Sequence, residues 1–219
     1  MRLPLALILA VALSRLTAAE PTPVIWRLDQ TAKVGGLATE VLGTPQVVKD
    51  AGGPAVQFNG TSDGLFVPVN PLAGWKEFTV EILFSPAEGG LEAQRFVHIQ
   101  DPVWRVMIET RLDGKGGWWL DTFLGNNTKG QPLIDPAHVH PTGRWYWAAV
   151  SYDGKHMVHY INGAKELEAD TAFGPMTAGQ ISLGVRQNKV YWFKGGIREV
   201  RFHPTALVPE KLQRAATQN

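Results

Sequence analysis

The chain predicts an all-β protein, a two-sheet antiparallel sandwich of the jelly-roll type, on three observations. Short apolar or alternating runs recur between Gly, Pro, Asp and Asn turn signals at the spacing of a sandwich. A hairpin signature lies at the centre, residues 144–163, RWYWAAVSYDGKHMVHYING. No long amphipathic helix, heptad, internal repeat or linker competes with the strands.

Taken in order, the first 19 residues read as an export leader. Arg2 supplies the positive start, residues 3–13 are apolar with one Pro, and Thr17-Ala18-Ala19 is a small-residue cleavage pattern. Cleavage is expected after Ala19, leaving one domain over residues 20–219. The apolar run is too short to anchor stably in a bilayer, so no stable membrane insertion is expected once the leader is removed. Residues 24–28 form a short strand ending at Asp29, 46–49 a further one, and 55–58 and 65–67 a pair joined by the polar turn 59–64. Phe78, Val80, Ile82 and Phe84 alternate with Thr79, Glu81 and Leu83 until Pro86 stops the run. Strands then follow at 95–99, 103–111 and 118–124, and 132–141 is read as a loop.

In the central hairpin, Asp153-Gly154 joins two runs of aromatic and β-branched residues, and Asn162-Gly163 closes the second. Ala148, Val150 and Tyr152 alternate with Trp147, Ala149 and Ser151, so neither face of this strand reads as fully wet. Residues 179–185 and 196–203 are the closing strands, and 204–212 give at most one short helical turn.

Bulk composition supports a packed core: 44% hydrophobic and 10% aromatic residues against 19% charged, in 219 residues. Net charge is +1, and −1 once Arg2 and Arg15 leave with the leader, which provides no footprint for nucleic acid or an anionic membrane. Cysteine is absent, so an exported chain of this kind owes its stability to its core and not to disulfides. Leader and composition together indicate a secreted or periplasmic location.

The order of motifs carries a resemblance. VIWRLDQ, AVQFNGTSDGLFVP and EFTVEILFSP are followed by the Gly-x-Trp start of the central hairpin, its AVSYDG and YING ends, then ISLGV and FKGGIREVRFHPTAL. This series resembles the laminin G-like jelly-roll domains of the concanavalin A-like lectin and glucanase superfamily, over nearly the whole mature chain. The resemblance implies a fold more firmly than a function. Many such relatives bind a structural calcium near their paired terminal strands. Asp29 and Asp63 are retained here, but Ile197-Arg198-Glu199-Val200 stands where relatives often read Ile-Asp-Glu-Val. The expectation is that Arg198 replaces the ion by pairing with a carboxylate such as Asp29, and that there is no cofactor.

For chemistry, glycoside hydrolases on this fold carry paired carboxylates on alternate residues of one strand. Glu81 and Glu109 each stand alone, and would form a pair only if two strands brought them together. His138/His140 and His156/His159 lack a further ligand at metal spacing, so no metal is expected. Tryptophan is the remaining signal, because sugars stack on exposed aromatics and finish with amide and carboxylate hydrogen bonds. Trp118-Trp119 with Asp121, Asn126 and Asn127 is the most suggestive cluster; Trp147 and Tyr191-Trp192 are further candidates. Adjacent strand residues point to opposite faces, so one of Trp118 and Trp119 belongs to the core.

The sequence thus reads as an exported, non-catalytic binding module that recognises a carbohydrate or another extracellular ligand. The expected surface is a concave face bearing Trp118, Trp119, Asp121, Asn126, Asn127, Trp147, Glu81 and Glu109. A structural or protein-interaction module of the cell envelope is the alternative. A glycan hydrolase or lyase acting through Glu81 and Glu109 is the third.

Overall fold

A computed structural model describes residues 22–216. The leader expected at residues 1–19 lies outside them.

In chain order the strands are β1 (Val24–Arg27), β2 (Lys33–Val34), β3 (Leu37–Ala38), β4 (Glu40–Leu42), β5 (Gln46–Asp50), β6 (Gly53–Asn59), β7 (Gly64–Val67), β8 (Phe78–Pro86) and β9 (Ala93–Gln100). They continue as β10 (Trp104–Leu112), β11 (Gly117–Asn126), β12 (Gly130–Ile134), β13 (His140–Pro141), β14 (Tyr146–Tyr152), β15 (His156–Ile161), β16 (Ala164–Asp170), β17 (Gln180–Leu183) and β18 (Lys194–His203). A single 3-10 turn, Pro209–Lys211, follows.

Two large antiparallel sheets result, as the alternation predicts, beside the small two-stranded β2-β3 pair. The first runs β16-β15-β14-β8-β18-β6-β5, with β1 also paired to β18; the second runs β12-β11-β10-β9-β17-β7-β4, with β13 paired to β11. Period-2 alternation turns one set of side chains from each sheet inward. Val80, Ile82, Phe84, Ala148, Val150 and Val200 come from the first sheet and Phe96, Ile99, Val106, Ile108, Leu120 and Leu124 from the second, all fully buried in one core. Its centre is aromatic: Phe84 stacks on Phe96 at 4.3 Å, and Trp118 meets Phe84 edge-on at 5.2 Å. Removing such a ring costs on the order of 3–5 kcal/mol.

The central hairpin forms in the expected register, Val150 opposite His159 and Tyr152 opposite Met157. Its turn is closed by Asp153, whose Oδ1 accepts from the backbone N–H of Lys155 and His156, while Gly154 takes φ +98°, a region costly for any residue with a Cβ. All seven residues of β14 are buried.

Two segments depart from the sequence expectation. Residues 132–141 contain β12 and β13 instead of a continuous loop. Pro132 fits there because β12 is an edge, where its missing N–H interrupts no ladder on the outer side. The AKELEAD stretch forms β16, the other sheet's edge; its charges suit a half-wet border strand.

The outer face of the first sheet is covered by the chain's own end. Thr79 Oγ1 donates to Thr205 O and accepts from Leu207 N–H, and Glu81 accepts from Gln213 N–H at 2.7 Å and pairs with His203 Nε2 at 2.9 Å. Leu212 packs with Ala149 and Tyr160 in a second, small apolar cluster. Residues 204–216 therefore cover the middle of this face, with a groove of about 680 Å³ left beside Arg201 and His203.

Candidate functional site

The outer face of the second sheet is covered in part by the loop of residues 184–193, and the register fixes what it displays. Alternate residues of β9, β10 and β11 stand in rows across the strands: Trp119 beside Arg111; then Asp121, Glu109 and Arg95; then Phe123, Met107 and His98; then Gly125 and Arg105, with Gln100 beyond. Their sequence neighbours Val106, Ile108, Leu120 and Leu124 fill the core, which forces this set outward.

The second row is a linked charge network. Arg95 Nε lies 2.5 Å from Glu109 Oε1, Glu109 is hydrogen-bonded to Asp121, and Arg111 donates from Nε and Nη2 to Asp121 Oδ2, both at 2.8 Å. Burial, and then the Asp121 carboxylate, push the Glu109 carboxyl up to about 8, against the pull of Arg95. Folding therefore favours the protonated form of Glu109 relative to a free glutamate.

Residues 184–193 fold back over this face. Tyr191 sits at φ +59° and Lys189 at φ +60°, left-handed conformations unfavourable for side-chain-bearing residues. The strained turn lays the Tyr191 ring against the Arg95 guanidinium at 3.7 Å, held by an Arg95 N–H bond to Tyr191 O. Gln187 N–H donates to His98 Nδ1 at 3.1 Å, and its side-chain amide donates to His98 O and Gln180 O. Burial, then Arg186, Arg105 and Arg95, lower His98 to about 3.

At the end of the face marked by Trp119 lies a groove of about 640 Å³. Leu112 and Trp119 form its apolar part, and Glu88, Glu92 and Asp113 line it with acids. Trp119 Nε1 is buried without a hydrogen-bond partner.

Of the residues singled out in the sequence, Trp119, Asp121 and Glu109 come together on this face. Asn126 and Asn127 lie at its far end in the β11–β12 turn; Asn126 Oδ1 accepts from Thr128 and Lys129 N–H, and Asn127 Nδ2 donates to Pro102 O. The other three are corrections. Trp118 is at 0% exposure in the core, its indole N–H donating to Pro141 O. Trp147 and Glu81 lie on the opposite outer face; Glu81 is at 0% exposure beneath residues 204–216, and Trp147 is capped by Arg201 at 4.9 Å. Glu81 and Glu109 thus have the whole core between them and cannot share a cleft.

Arg198 pairs with Asp50 at 2.6 Å and stacks on Trp145 at 4.0 Å; Asp50 takes the place expected for Asp29. Asp63 accepts from Asn59 and Thr44 N–H. Among the described residues, no group of three or more His, Cys, Asp or Glu is placed to hold a metal.

Sequence reasoning missed Arg95, His98, Arg105, Arg111 and Arg186. For the strand residues the signal was present in QRFVHIQ and WRVMIETRL, where polar residues alternate with core residues. Arg186 had none, because only the fold-back of its loop brings it over the face.

Comparison with known proteins bears on the fold. The family model for concanavalin A-like lectin/glucanases superfamily domains of the laminin G type matches residues 59–213, more than half of the chain. No curated protein matches. Domain 4 of AbnA, an extracellular GH43 arabinanase from Geobacillus stearothermophilus solved with arabinotriose, aligns over 88% of this chain and 97% of its own at 22% identity and TM-score 0.70. The binding domain of botulinum neurotoxin serotype D aligns over 85% of this chain at 14% identity and TM-score 0.62, and that of Paraclostridial mosquitocidal protein 1 over 86% at 16% and 0.63. This chain spans about half the length of each toxin domain, at 48% and 50%. With its two antiparallel sheets and this match, the chain belongs to the concanavalin A-like lectin/glucanase superfamily.

Proposed function

We propose that this chain is an exported, non-catalytic carbohydrate-binding module whose ligand lies along the outer face of the second sheet. The observation that carries this reading is the asymmetry of the two faces. Across the middle of one lie residues 204–216, bonded to its outward polar groups; the other presents Trp119 beside an acid-lined groove, where a pyranose or furanose face can stack and its hydroxyls can donate to Glu88 or Glu92. The arabinotriose held by the arabinanase domain supports the ligand class.

The carboxyls present are arranged for structure. Glu109 and Asp121 touch and are each capped by an arginine, whereas glycosidase pairs stand about 5–10 Å apart with room for the glycosidic bond.

Titration of residues 20–219 with arabinan, galactan and glucan oligosaccharides tests the reading. Trp119→Ala is expected to weaken binding roughly ten-fold or more with an unchanged melting midpoint. Absence of binding to any polysaccharide tested would count against it.

A protein partner is the second reading, favoured by β5, an edge strand whose five residues are all exposed, Val47 and Val48 among them. Such an edge can accept another strand. Capture that survives excess soluble sugar and is lost in Val48→Pro would establish it.

A further inference from the structure

Buried hydrogen-bond donors stand unpartnered on the far half of this face. His98 is at 1% exposure, and because its Nδ1 accepts the Gln187 N–H, the proton of the neutral ring resides on Nε2. That N–H has no partner, and neither has Arg105 Nε, both buried. An unmade hydrogen bond at a buried donor is costly, and here two neighbouring donors share the omission.

Charge is unbalanced at the same place. Arg95 and Arg111 have Glu109 and Asp121, but Arg105 and Arg186 form no ion pair among the described residues. Each feels the other: Arg186 is the first charged group that depresses both Arg105 and His98. Four guanidiniums, those of Arg95, Arg105, Arg111 and Arg186, thus share this face with two acidic side chains, Glu109 and Asp121. Such a cluster of cations and idle N–H donors is complementary to an oxyanion.

We infer that the end of the face formed by His98, Arg105 and Arg186 binds an anionic substituent of the glycan, a uronate carboxylate or a sulfate ester. This rests on the carbohydrate reading above and names the sugar class it selects. The anion enters between Arg105 and Arg186, both only partly exposed, and receives the His98 Nε2–H as the arginine side chains part. Trp119 and the Arg105 row are six residues apart along β11, about 20 Å, so the acid sits several sugars from the stacking residue.

Calorimetry of residues 20–219 with oligogalacturonate, its methyl ester and neutral galactan oligosaccharides provides the test, with dextran sulfate against dextran as a second arm. Oligogalacturonate or dextran sulfate is expected to bind at least ten-fold more tightly than its uncharged counterpart, and whichever arm shows the gap identifies the anion. Arg105→Gln and Arg186→Gln should each erase that gap without lowering the melting midpoint, since each removes a repelling charge. Arg27→Ala, an exposed arginine of the first sheet, should leave it intact. Binding in which charged and neutral glycans are equal, and which Trp119→Ala abolishes, overturns this inference and keeps the carbohydrate reading. No binding in either arm overturns both. A gap that survives both arginine substitutions places the anion elsewhere and overturns the inference as well.

Discussion

The two outer faces of this sandwich are built from the same alternation and end in opposite states. On the first sheet, Thr79, Glu81 and Ser151 project outward among apolar neighbours, and the chain's last residues supply their partners, so that even a carboxylate at 0% exposure is satisfied by His203 and a backbone N–H. On the second sheet, outward polar groups are just as dense but bond mainly to each other, and several donors remain idle. A buried polar face that is fully partnered adds stability; one with unmade bonds and like charges holds free energy that a ligand can release.

The largest expected effect sets the pH range over which either arrangement survives. His98 on the open face and His159, which contacts Thr122 Oγ1 at 2.9 Å, are both lowered to about 3, in each case first by burial. Their folded values lie below the unfolded value near 6.5, so unfolded chains take up protons that the folded one refuses. Stability is full above pH 6.5 and falls as pH drops toward 3, by up to several kcal/mol per histidine. Melting curves from pH 7 to pH 4 should show this steep acid limb, and His98→Asn should flatten it; a flat profile in the native chain would contradict the buried neutral rings.

Next in size is a break in the covered face. Leu212, 4% exposed against Ala149 and Tyr160, is the apolar anchor of the terminal segment. Leu212→Ala should cost about 2–3 kcal/mol and lower the melting midpoint by roughly 5–10 °C, with glycan affinity retained. Loss of affinity without loss of stability would mean that the ligand uses the covered face.

The sequence made the sandwich legible because alternation, turn pairs and Pro stops all pointed the same way. Phe78 to Phe84 and Ala148 to Tyr152 face inward in the phase their spacing indicates. The site was only half legible. Trp119, Asp121 and Glu109 could be named, since a strand residue's face follows from its neighbours. Trp147 and Glu81 have the outward phase too, but what covers an outward residue depends on a segment more than fifty residues away. The arginines over His98 escaped for the same reason: their meaning comes from cross-strand register and a folded-back loop, neither of which is a local property. Arg198 was correctly seen as a cation near the terminal strands, but its partner, Asp50, lies on β5, two strands across the sheet.

A smaller effect sharpens the account of the open face. Glu109, pushed up to about 8, keeps its proton in the folded state while the unfolded chain releases it near 4.5. Its folded value is raised, so stability declines as pH rises through that interval, by about 1.4 kcal/mol per unit, or about 2 kcal/mol between pH 6.5 and 8. Glu109→Gln keeps an oxygen toward Arg95 and an N–H toward Asp121 without an ionisable proton. It should already be the more stable of the two at pH 6.5, where the unfolded native chain has released the proton, and its lead should widen by about 2 kcal/mol by pH 9, read as a growing gap in melting midpoint. Equal stability at both values would mean that Glu109 is ionised throughout and that the face carries one more negative charge.

The smallest effect concerns the terminal strands. Asp50 is half exposed, so its pair with Arg198 is strongly screened and Asp50→Asn should cost under about 1 kcal/mol. Arg198→Ala should cost more than Asp50→Asn, because it also removes the guanidinium from the Trp145 ring. If Arg198 does the work that a cation does in related domains, calcium should leave the melting midpoint of the native chain unchanged. A clear rise on adding the ion would show that Asp63 or Asp29 still contributes to a cation site and that the arginine is not its replacement.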